Sequence, residues 1–108
     1  MPDLFEPAQV HVLLADGDDV SRRHRETQLS RLGAKVSAAK TAFGAIVKAS
    51  YHLPDVILLD DGLPDIGAME AGRMITTCPA TSHIPILSLA PGRPLPRRVL
   101  SLLRRGTV

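Results

Sequence analysis

The sequence is poor in the residue types that mark several common kinds of site. Its 108 residues hold one cysteine, Cys78, and no tryptophan. A lone thiol closes no internal disulfide, and Cys78, His11, His52 and His83 match no metal-ligand spacing, so nothing points to zinc and the thiol usage suits a reducing cytosol. Aromatic residues are limited to Phe5, Phe43 and Tyr51. None is interleaved with arginine, which argues against stacking on nucleic acid bases. No apolar run approaches the length of a membrane span, and the segment Met1 to Pro7 lacks the basic and apolar regions of a signal peptide. A soluble, cytoplasmic protein is expected, with no membrane partner. Charge of one sign is also scarce: Lys+Arg 13 against Asp+Glu 11 leaves a net +2, too little to imply a polyanionic partner. Its distribution is uneven, because residues 91–108 carry Arg93, Arg97, Arg98, Arg104 and Arg105 and no acid.

What is present is an alternation of apolar runs and helical patterns, without internal repeats, in a chain whose length and 44% hydrophobic content suit one core. Such alternation predicts parallel β/α units with helices on both faces of a sheet. A strand is expected over 10–15, then a helix capped by Asp18 or Asp19 and running to Leu32, with Val20, Leu29 and Leu32 inward and Gly33 as its stop. A short strand over 35–39 precedes a helix over 42–50 with Phe43, Ile46 and Val47 facing the sheet. The third strand, 56–59, leads to a helix over 68–76 with Ala68, Ala71 and Ile75 on one stripe. A fourth strand over 84–90 is followed by the stiff Pro91 to Pro96 connector and a helix over 97–105, with Val99, Leu102 and Leu103 inward and Gly106 at its end.

The most informative stretch is Pro54-Asp55-Val56-Ile57-Leu58-Leu59-Asp60-Asp61-Gly62-Leu63-Pro64. An apolar run that ends on carboxylates reads as a buried strand delivering acids to its C-terminal edge, where open α/β sheets keep their sites. The run Val10 to Ala15 also ends on acids, Asp16 and then Asp18 and Asp19. Two parallel strands so placed bring Asp16 and Asp60 together, and like charges at that spacing call for a cation or a chemical purpose.

These features resemble the receiver domain of bacterial two-component response regulators. The resemblance spans roughly residues 9–108 and rests on Val12-Leu13-Leu14-Ala15-Asp16, the Pro54 to Asp60 strand, the turn Leu63-Pro64, the helix start at Met69-Glu70 and the Ile84-Pro85-Ile86-Leu87 strand. It implies a flavodoxin-like parallel sheet of order 2-1-3-4, with the family's fifth strand missing, and a division into an N-terminal extension (1–9) and a receiver-like domain (10–108) ending in the Pro/Arg-rich segment 91–108. It further implies that Asp60 occupies the phosphoacceptor position and that Asp16, Asp60 and the backbone carbonyl of Gly62 match magnesium-ligand positions, with Asp18 as a further candidate ligand from the loop.

Against the family pattern, Gly17 stands where a second acid is usual, Ala90 where a phosphate-binding hydroxyl is usual, and Ala68 where a glycine follows the third-strand loop. Ser88, two residues before Ala90, is a poor substitute. Lys35, Lys40 and Lys48 all fall in the second strand and second helix, so none supplies the family's phosphate-binding ammonium. Asp61, His24 and the run Arg22-Arg23-His24-Arg25 read as solvated surface, the arginine run having docking to a partner as its alternative.

The expectation is therefore a single-domain pseudo-receiver of two-component or phosphorelay signalling. It would act through contacts with a histidine kinase, phosphotransferase or other signalling protein, with magnesium binding and phosphorylation weak or absent. The alternative is a functional magnesium-dependent phosphoacceptor at Asp60, whose only enzymatic activity would be its own phosphorylation. The open edge at strand 84–90 and the helix 97–105 are expected to mediate association, with a second copy or with a partner, unless the last helix folds over that edge instead.

Overall fold

The computed structural model describes residues 9–105. Its elements are β1 (His11–Ala15), α1 (Asp19–Arg31), β2 (Lys35–Ala39), α2 (Ala42–His52), β3 (Val56–Asp60), α3 (Ala68–Thr77), β4 (Ile86–Leu89) and α4 (Arg97–Arg105). All pairings are parallel and the sheet order is β2-β1-β3-β4, the flavodoxin-like order expected. The N-terminal segment up to residue 8 and the expected helix stop at Gly106 lie outside the described residues.

Alternation along the strands divides the core into two layers, because successive side chains point to opposite faces. Leu13, Ala15, Ile57 and Leu59 pack with α2 and α3 through Ala42, Ala45, Ala49, Ala71 and Ile75. Val12, Leu14, Val56, Leu58 and Leu89 pack with α1 and α4 through Leu29, Val99 and Leu103. Fully burying each leucine in these layers stabilises the fold by about 1.5–3 kcal/mol.

Several expectations are corrected. The helix α4 lies over the same sheet face as α1, so that face is covered by two helices, and only Val99 and Leu103 are buried while Leu102 is exposed. The fourth strand spans four residues rather than 84–90: Ile84 donates its N–H to Thr81 in a turn, and Pro85 contributes only its carbonyl to Ile57. On α2 the inner stripe is Ala42, Ala45 and Ala49, which leaves Phe43 and Val47 in solvent. On α1, Val20 is 77% exposed and the inner stripe is Arg22, Arg25 and Leu29. A helix that turns two arginines inward needs partners for them, and those partners define the site.

Candidate functional site

Asp16 follows β1 and Asp60 ends β3, adjacent strands in register from Val12↔Val56 to Ala15↔Leu59. Asp60 shares the parity of Val56 and Leu58, and Asp16 that of Val12 and Leu14, so both carboxylates fall on the α1 side of the sheet. Both residues are buried, at 2% and 3% exposure.

Between them sits Arg25, which is 2% exposed. One guanidinium nitrogen, Nη1, donates to Asp16 Oδ2 at 3.0 Å and to Asp60 Oδ2 at 2.6 Å. The other, Nη2, donates to the carbonyls of Ala90 and Arg93, each at 2.9 Å. Those carbonyls belong to a turn closed by the Arg93 N–H on Ala90 O, with Pro91 second and Gly92 third. Gly92 has φ 69°, the left-handed conformation such a Pro-Gly turn requires of its third residue.

The remaining acceptor capacity of the acids is filled locally. Asp16 Oδ1 accepts the Asp18 N–H at 3.0 Å, and Oδ2 also accepts the Ser21 hydroxyl at 2.6 Å. Asp60 Oδ1 accepts the Gly62 N–H at 2.7 Å. Arg22 donates to the Asp16 carbonyl and pairs with Asp19 at 2.7 Å, and this hydrogen-bonded pairing holds the Asp19 carboxyl below its ordinary value. Among the described residues, every buried side-chain nitrogen and oxygen has a hydrogen-bond partner. On the opposite side of the loop, Asp65 accepts the Ala42 and Phe43 N–H groups at 2.8 and 2.9 Å and ties the β3–α3 loop to the start of α2.

The structure thus brings together Asp16, Asp60 and the backbone of Gly62. Asp18 is instead the N-cap of α1, accepting the Ser21 N–H at 3.3 Å. Ser88 is paired with Leu59 and so lies on the α2–α3 side of the sheet, away from the Asp60 carboxylate. Arg22 and Arg25 are not the solvated surface expected of them, although Arg23 and His24 beside them are less buried. The sequence did carry a signal for Arg25: two acids at neighbouring strand ends demand a cation, no lysine is in reach, and residues 22, 25 and 29 share a helix face.

The resemblance to receivers implies a magnesium ion between the acids, and the residues present do not fit one. Gly17 supplies no second carboxylate, Asp18 caps a helix, and the space between Asp16 and Asp60 is taken by a guanidinium. Among the described residues no three acidic, histidine or cysteine side chains gather as a ligand set. A Cβ on Gly17 would lie 2.9 Å from Pro64 Cδ and 3.2 Å from the Lys40 carbonyl, so packing there opposes a side chain of any kind.

No family model matches the chain. It is 32% identical over 76 residues to the response regulator PleD of Caulobacter vibrioides, covering 70% of this chain and 17% of PleD. With the transcriptional regulatory protein KdpE of Mycobacterium tuberculosis it shares 37% identity over 59 residues, covering 55% of this chain and 26% of KdpE. The chain therefore spans only a minor part of the curated relatives it matches. Among solved structures, the receiver domain of the sensor histidine kinase PA1611 of Pseudomonas aeruginosa, with magnesium in its active site cleft, superposes with a TM-score of 0.78 at 23% identity, over 93% of this chain and 98% of that one. The chemotaxis response regulator CheY4 of Vibrio cholerae gives 0.77 at 19% identity, over 94% and 100%.

Proposed function

Because the chain is a response-regulator receiver domain, we propose that it acts in two-component or phosphorelay signalling as a pseudo-receiver, exerting its effect through protein contacts with phosphorylation weak or absent. The observation that carries this reading is the state of Asp60. One oxygen is held by the Gly62 N–H and the other by Arg25, and the position beyond β4 is Ala90, whose side chain has no donor. A carboxylate nucleophile in this fold needs cationic stabilisation of the transferring phosphoryl group, which is usually the largest catalytic contribution. Among the described residues the cation in contact with Asp60 is Arg25, and it is committed to neutralising the acid pair itself.

The partners this reading calls for are a histidine kinase, a phosphotransferase or another signalling protein. Among the described residues no helix is long and apolar enough to cross a membrane. Incubation with a small phosphodonor and magnesium tests the proposal: Asp60 should be labelled slowly or not at all. Rapid acid-labile labelling that disappears in Asp60→Asn would overturn it in favour of a working phosphoacceptor.

A further inference from the structure

We propose that the Arg25 guanidinium is the resident cation of the Asp16–Asp60 pair, taking the place of a divalent ion and, through its second nitrogen, bracing the Ala90–Arg93 turn that leads into α4. The inference rests on the pseudo-receiver reading and adds to it a cause and a reach. Its first half follows from contact geometry: a single nitrogen lies within hydrogen-bond distance of both acids, so the two carboxylates are bridged in the manner of a shared ligand. A divalent ion arriving beside the guanidinium would meet like-charge repulsion in a buried site, where solvent screens it little. Nor does any buried polar side chain nearby lack a partner that a metal might satisfy.

The second half follows from the other side of the same planar group. A metal ion has no N–H and cannot donate to carbonyls, whereas the guanidinium presents donors in a fixed fork. Its Nη2 closes on Ala90 O and Arg93 O, which belong to the only segment joining β4 to α4. Pro91 is drawn close to the acid loop as well, since a Cβ on Gly62 would meet Asp60 Oδ1 at 3.0 Å and Pro91 Cγ at 3.3 Å. The pairing of the two acids and the turn that leads into α4 are therefore joined through one side chain.

Manganese titration of the full chain, followed by amide NMR and thermal unfolding, tests both halves. The wild-type protein should show no paramagnetic broadening at residues 16–18 and 60–62 and no change in Tm. Arg25→Ala should gain both, with a Tm that rises as manganese saturates the uncovered acids, and Arg25→Ala/Asp60→Asn should lose the gain. Arg25→Lys keeps the charge but not the fork, so it should stay indifferent to manganese while amides of residues 90–100 exchange about tenfold faster. Should Arg25→Ala fail to fold, the lysine variant decides: unchanged exchange at 90–100 overturns the brace. Broadening of the wild type at residues 16 and 60 overturns the resident cation. Labelling of Asp60 by a phosphodonor would instead overturn the pseudo-receiver reading, while manganese uptake without labelling would count against Arg25 alone.

Discussion

Arg25 and Asp60 stand 35 residues apart in the chain and are joined by a 2.6 Å ion pair from which water is almost wholly excluded. A buried pair of this kind adds little net stability over an apolar pair of the same shape, but removing one partner strands the other. Arg25→Ala leaves two adjacent carboxylates and should cost about 3–5 kcal/mol. Asp60→Ala should cost less, because Arg25 keeps Asp16 and both carbonyls. Denaturant unfolding should show the double variant losing well under the sum of the two single losses.

Restoring the second acid after β1 should not restore a metal site. The Cβ of Gly17→Asp would sit 2.9 Å from Pro64 Cδ, so the variant should lose about 1–3 kcal/mol to overpacking. Calorimetric titration with magnesium should show no heat of specific binding while Arg25 is in place.

A pH dependence is expected from His11, whose imidazole is held below its ordinary value of 6.5 by burial first, and then by Lys35 and His52, against the opposing pull of Asp55. Its Nε2 shares a 2.7 Å hydrogen bond with Ser37 Oγ. The unfolded chain takes up this proton before the folded one does. Stability should therefore be level above about pH 6.5 and fall as the pH drops through that value towards the depressed one. Unfolding midpoints measured across this window should show a shallower slope in His11→Gln.

Association is expected at the β4 edge. Among the described residues no strand pairs its outer side, and Leu102 is 38% exposed beside it on α4. Sedimentation at rising concentration should show a self-associating species that Leu102→Glu weakens. A monomer at every concentration, folded in both forms, would refute the association.

The strands and the acids at their ends were legible because apolar runs ending on carboxylates are a strong local pattern, and the resemblance to receivers implied the strand order that sets Asp16 beside Asp60. The helix faces were less so. Val20 and Phe43 look like inward residues by hydropathy, yet the inward positions went to Arg25, which buries because two acids receive it, and to alanines, which bury because they are small. Both reasons depend on what lies opposite the helix, and local periodicity does not contain that. The seat of α4 was hidden for the same reason: the connector permitted either outcome, and the apolar face shared by Val12, Leu14 and Leu58 selected one.

The alanine layer beneath α2 has a consequence for the outside of the molecule. With Ala42, Ala45 and Ala49 against the sheet and Ile46 partly buried beside them, the helix sits close to the strands and its other large apolar side chains face outward. Phe43, Val47 and Tyr51, spaced four residues apart, then form an exposed stripe. The colloidal behaviour of the protein is thus set by a spacing inside it: enlarging Ala45 would lift the helix, whereas replacing Val47 with a polar residue would raise solubility at little cost to the fold.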